Sequence, residues 1–291
     1  MAPWLHAFLT YLEQSERSPA TIRSYRSDLT ALASWYEAAA GEPFDPATLT
    51  PTDLRHYKRA LVEQQGLKPA SINRKLATLR SFLHWASESG TATASLPLKV
   101  PKSEPKERRG PRWLDRREQN ALLRSVERGG SPRDVAIVKL LLNTGVRIQE
   151  LCALTWKDVS VSARKGTLTV RRGKGNKRRE VPLNADAREA LRLAGYEHSA
   201  GAEAAIFQGQ RGPITPRGIQ IFLARYGASA GLALSPHMLR HSFCKNLVDA
   251  GVGLEKVAAL VGHESLETTR RYCEPSMNDL TRAVDLIGEA E

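Results

Sequence analysis

The sequence predicts a mainly α-helical chain in two domains, with one small β-sheet or hairpin in the second. Three observations predict it. Apolar residues recur at helical spacing through the first ninety residues. A proline-rich, basic stretch then breaks the pattern at residues 90–112. Beyond it the helical pattern resumes, interrupted by one pair of short β-like runs around a glycine-lysine turn. A chain of 291 residues is long enough for two hydrophobic cores.

The first domain, 1–92, reads as four helices. Trp4, Phe8, Leu9 and Leu12 mark the first stripe. Ser18-Pro19 is an N-cap followed by proline at the first helical position, and Ile22, Tyr25, Leu29, Leu32 and Trp35 follow it. Thr50-Pro51 opens a third helix, running to about Gln65, and Ile72, Leu76, Leu79, Phe82 and Leu83 mark a fourth. Four such stripes make a small bundle.

Residues 93–112 read as a linker. The stretch 90–112 holds four prolines, and five basic residues against two acidic ones fall from Lys102 to Arg112. Lys102, Lys106, Arg108 and Arg109 are therefore expected to lie against something negative. The second domain, 113–291, stays helical to about residue 153. Gly166–Arg172 and Arg178–Leu183 then read as a hairpin around Gly173-Lys174-Gly175-Asn176-Lys177. Further helices are expected near 185–195, 215–229, 236 onward, 253–261, 265–272 and 276–288.

Lys and Arg number 43 against 31 acids, for a net charge of +12. From Arg164 to Glu180 there are eight basic residues and one acid, so this one segment carries +7 of that excess. Such clustering points to a polyanionic partner. Arg171, Arg172, Lys174, Lys177, Arg178 and Arg179 are the candidates for phosphate contact. Three widely spaced cysteines form neither a CxxC nor a zinc spacing, which fits a reduced cytoplasmic interior. No apolar run approaches a membrane span, and the N-terminus lacks a signal-peptide pattern.

Two readings of the motifs fail on spacing. The turn 173–177 lacks the GxxxxGK[ST] of a phosphate loop. His237 and His241 share a helix face, but Met238 stands where a zinc protease needs glutamate, so no metal site is expected. Arg240, nearly in line with His237, suits a phosphate oxyanion better. Arg147 follows Gly145 at an expected helix start, where anions are favoured, and Glu150 sits one turn on to hold its guanidinium.

Taken in order, TGVRIQEL (144–151), GKGNKRREVPL (173–183), HMLRHSF (237–243) and VGHESLETTRRY (261–272) resemble the motifs of the tyrosine recombinase, or phage integrase, family. The likeness spans nearly the whole chain and is greatest to its Xer branch, although the residues after Tyr272 look more like transposon- or plasmid-borne members. The resemblance implies an N-terminal core-binding domain and a mixed α/β catalytic domain. It implies Arg147, Lys174, His237, Arg240, His263 and Tyr272 as catalytic residues, with Glu150 in support.

Tyr272 would be the nucleophile, Arg147 and Arg240 the phosphate clamp, His237 the base and Lys174 the acid, with no metal or cofactor. The implied partner is double-stranded DNA with paired half-sites, gripped by a clamp of two domains. Four copies would act on two sites through a Holliday junction, with or without a second recombinase, in the cytoplasm at the nucleoid. The last amphipathic stretch, with Leu280, Ala283, Val284, Leu286 and Ile287, would dock on a neighbouring copy or on its own domain. The rival readings are a type IB topoisomerase and a catalytically silent DNA-binding protein.

Overall fold

The computed structural model describes residues 1–91, 111–171, 178–199, 202–263, 265–273, and 281, 284 and 285. Lys102, Lys106, Arg108, Arg109, Arg172, Lys174 and Lys177 lie outside the described residues, as do Leu280, Ala283, Leu286 and Ile287 of the last amphipathic stretch. The chain divides into two compact units, Met1–Arg108 and Arg109–Glu291.

The first unit holds α1 (Pro3–Gln14), α2 (Pro19–Ala40), α3 (Pro51–Glu63) and α4 (Pro69–Glu88). Each helix starts on proline, which lacks only a donor that the first turn leaves unpaired anyway. The Ser18 hydroxyl accepts the Thr21 amide, and Thr50 and Asp53 form a reciprocal capping box. The four apolar stripes meet in one core around Phe8, Leu32, Leu61 and Phe82, with Trp4 packed edge-on against Phe44. Asp28 is buried between α2 and α4, where Arg74, Lys75 and Thr78 satisfy it. The pairing avoids the cost of an unpaired buried charge.

In the second unit, α5 (Arg116–Gly129) starts with the Asp115–Glu118 capping box, and α6 (Pro132–Thr144) is capped by Ser131. The leucine-rich α6 is almost wholly buried at the centre of the main core. Gly145 ends it at φ +61, and α7 (Ile148–Cys152) follows at once. The expected hairpin is part of a three-stranded antiparallel sheet: β1 (Val159–Val161), β2 (Gly166–Val170) and β3 (Arg179–Pro182), in that order. Its register pairs Val159 with Leu168 and Leu168 with Val181. That alignment puts the apolar residues on one buried face.

Then come α8 (Ala185–Leu193), α9 (Tyr196–Ser199), the two-residue strands β4 (Gln208–Gly209) and β5 (Gly212–Pro213), and α10 (Pro216–Ser229). Helices α11 (Pro236–Asp249), α12 (Leu254–Val261) and α13 (Leu266–Arg270) enclose a satellite core of Phe243, Cys244, Val257, Val261 and Tyr272. Among the described residues no helix is long and apolar enough to cross a membrane.

Candidate active site

The site forms where the ends of α6, α11 and α12 converge. Arg147 is the residue just before α7, and it donates three hydrogen bonds. Its backbone N–H and Nη1 donate to the Glu150 carboxylate at 2.8 and 2.9 Å, and Nη2 donates to the Gly262 carbonyl at 3.1 Å. Arg240 is 4% exposed and donates to the carbonyls of Gly145 (2.5 Å) and Val261 (2.7 Å). Burial first, and the Arg147 charge second, lower its guanidinium to about 10, so it remains a cation at neutral pH.

A third arginine completes this arrangement. Arg179 on β3 donates Nε to the Leu260 carbonyl at 3.1 Å, and its two terminal nitrogens clasp Glu150 at 2.9 and 2.7 Å. The last carbonyls of α12 at 260, 261 and 262 thus each accept from a different arginine. A helix C-terminus leaves these acceptors unpaired and carries partial negative charge, so it attracts cations. The expectation that Arg179 contacts DNA is corrected here. Its side chain is 11% exposed and committed to Glu150 inside the unit. Burial alone would raise the Glu150 carboxyl, but hydrogen bonds from Arg179 and Arg147 outweigh it and hold the group below its ordinary range. Of the other candidates for phosphate contact, Arg178 is exposed beside Glu180, and Arg171 pairs with Asp158.

Tyr272 is 2% exposed, behind α13. Its hydroxyl lies 2.5 Å from Nδ1 of His241, and its ring is parallel to that of His263 with centroids 6.4 Å apart. Burial first, with the neighbouring Cys244 thiol adding to it, raises the phenol well above its usual range, while the Arg240 and Arg271 charges oppose this. The resting tyrosine is therefore protonated. His237, expected to be the base, does not make this bond. It is exposed at the start of α11, one turn before His241, with ring centroids 6.3 Å apart. Partial burial and the charges of Arg240 and Arg147 lower its pKa.

His241 and His263 are each pushed down to about 4, first by burial and then by nearby cationic groups. Both are neutral at physiological pH and able to accept a proton. His263 follows the αL residue Gly262, and its Nδ1 bonds the buried Thr269 hydroxyl at 2.9 Å. The thiols differ sharply. Cys244 is buried and Cys152 partly so, and burial raises both to about 11, whereas Cys273, next to Tyr272, is exposed.

Two partnerships escaped the sequence reading, those of His241 and Arg179. His241 carried the right signal, a second histidine four positions on, but spacing alone does not say which ring meets α13. Arg179 was hidden in a run of basic residues.

Known proteins bear on this arrangement. Residues 112–279 match the model of the phage integrase family, and residues 5–90 match its N-terminal SAM-like domain. The chain belongs to the phage integrase family. It is an enzyme of the tyrosine site-specific recombinase class. A curated relative, the tyrosine recombinase XerC of Xanthomonas campestris pv. campestris, is 33% identical over 285 residues, covering 96% of this chain and 86% of its own. Among solved structures, the post-cleavage complex of the XerH site-specific recombinase with a palindromic difH substrate aligns at TM-score 0.76 and 21% identity. That alignment covers 97% of this recombinase and 85% of the other chain. The Tn1549 transposon integrase bound to circular intermediate DNA aligns at TM-score 0.73 and 19% identity, over 97% and 98% of the two chains. At these identities both structures speak for the fold alone.

Proposed function

We propose that this recombinase cuts and rejoins duplex DNA through a 3′-phosphotyrosine on Tyr272. The observation that carries the reading is the 2.5 Å hydrogen bond between the Tyr272 hydroxyl and Nδ1 of His241, beside two organised arginines. A phosphodiester repels an anionic nucleophile until its charge is neutralised. Arg147 and Arg240 supply that neutralisation at the non-bridging oxygens, a role in which one arginine contributes roughly 10³–10⁵ in rate in other phosphoryl transfers. As the Tyr272 oxygen bonds to phosphorus, its proton passes to His241. The phosphorus–oxygen bond to the 5′ side breaks, and Lys174 protonates the departing hydroxyl. His237 and His263 hydrogen-bond the phosphate. The phosphotyrosine conserves the bond energy, so a 5′-hydroxyl from another strand reverses the step without a high-energy cofactor.

Tyr272 is covered in this arrangement, so DNA binding must uncover its hydroxyl to the phosphate while it stays beside His241. The helical first domain (1–92), the linker (93–112) and the catalytic domain (113–291) together engage paired half-sites. Lys102, Lys106, Arg108, Arg109, Arg171, Arg172, Lys177 and Arg178 contact phosphates. Four copies exchange strands on two sites through a Holliday junction, in the cytoplasm at the nucleoid.

The test is incubation of the wild-type chain and Tyr272→Phe with plasmids carrying paired copies of the DNA that flanks the gene. Wild type should give SDS-resistant protein–DNA adducts and recombinant products. Tyr272→Phe should bind and give neither. Relaxed plasmid without recombinants would turn the reading to a topoisomerase, and adducts from Tyr272→Phe would remove Tyr272 as nucleophile.

A further inference from the structure

Arg179 spends its whole guanidinium inside the protein. Nε holds the Leu260 carbonyl, and Nη1 and Nη2 meet the two Glu150 oxygens in parallel. This two-pronged geometry belongs to arginine and is beyond lysine. Glu150 is 7% exposed and is also bonded by Arg147. Its one negative charge is therefore shared between two cations. If Arg179 were absent, the buried carboxylate would have Arg147 alone and would draw that guanidinium wholly onto itself. The space around Arg179 is also fitted to it. A Cβ at Gly262 would lie 3.1 Å from Nη1 and 3.2 Å from Cδ of Arg179, so the glycine leaves room for this side chain one residue before His263.

We infer that Arg179 is a positioning residue for strand cleavage. It neutralises Glu150 so that Arg147 keeps its charge for the phosphate, and it pins the end of α12 from which His263 extends. The inference rests on the reading of Tyr272 and the arginine pair as the cleavage site.

The experiment begins with the wild-type protein and a randomised pool of nicked duplexes. A duplex recovered as covalent adduct becomes the substrate for all variants. Arg179→Gln should slow adduct formation about 100-fold, the scale of a misplaced catalytic group. The salt dependence of its duplex binding should match wild type, because no phosphate contact is lost. Arg179→Lys should fall between the two. Adding Glu150→Gln to Arg179→Gln removes the orphaned charge and should recover about tenfold of the rate, as expected where two residues share one network.

Cleavage by Arg179→Gln at the wild-type rate would overturn the inference and leave the cleavage reading intact. So would a salt slope lowered by about one, the mark of a lost phosphate contact. Equal rate losses in the single and double variants, with a matching drop in melting temperature, would overturn it as well by making Arg179 merely structural. If wild type forms no adduct at all, the cleavage reading fails and takes the inference with it.

Discussion

Tyr272 combines two opposed properties. Burial makes its phenol hold its proton, yet a nucleophile must release one. In the proposed cleavage step His241, bonded to the hydroxyl and neutral down to about pH 4, takes that proton as the Arg240 charge and the phosphate bond favour the phenolate. The acid limb of the single-turnover cleavage rate should therefore lie below pH 6.5, measured as adduct formation from pH 4.5 to 8. His241→Phe should lower that rate by roughly 10²–10⁴, the range of a general base.

The same two histidines set a stability slope. His241 and His263 bind protons less readily folded than unfolded, so the unfolded chain gains protons first as the pH falls. Stability should then be fully present above about pH 6.5 and decline towards pH 4, with a shallower decline in His241→Phe when followed by urea unfolding. At this scale the sequence told the residue types but not every partnership. Arg147 and Glu150 were legible as a pair one turn apart. That Arg179 would join them from β3 depends on a contact across 29 residues, which no local pattern encodes.

Helix ends do much of the positioning. Gly145 and Gly262 close α6 and α12 in the left-handed region, and their carbonyls accept from Arg240 and Arg147. Gly145 has no room for a side chain, since a Cβ there would meet the Phe243 ring at 2.3 Å. Gly145→Ala should cost about 3 kcal/mol in urea unfolding, from backbone strain and overpacking together. It should also slow cleavage by shifting the acceptor of Arg240. The four N-terminal helices were legible because apolar stripes fill them, and a cap followed by proline marks the starts of α2 and α3. The three-residue β1 was not, being too short to show alternation, and neither were the two-residue β4 and β5, which pair only through tertiary context.

Across the whole chain, the core of Met1–Arg108 and the cores of Arg109–Glu291 draw on separate sets of residues. Residues 1–108 expressed alone should therefore give a helical circular dichroism spectrum and unfold cooperatively. The net charge of +12 acts at the same scale. Duplex affinity should fall linearly with the logarithm of salt concentration, and charge-removing changes at true phosphate contacts should each lower that slope by about 0.9.

The uneven burial of the three cysteines makes the natural chain ready for spectroscopy without engineering. Cys244 is shielded, Cys152 partly so, and both are reluctant to ionise, while Cys273 is open to solvent one residue from Tyr272. A maleimide dye should couple once per chain at neutral pH, countable by intact mass. The attached fluorophore would then report, as a change in brightness or anisotropy, the moment at which the shelter over the neighbouring phenol opens to the duplex.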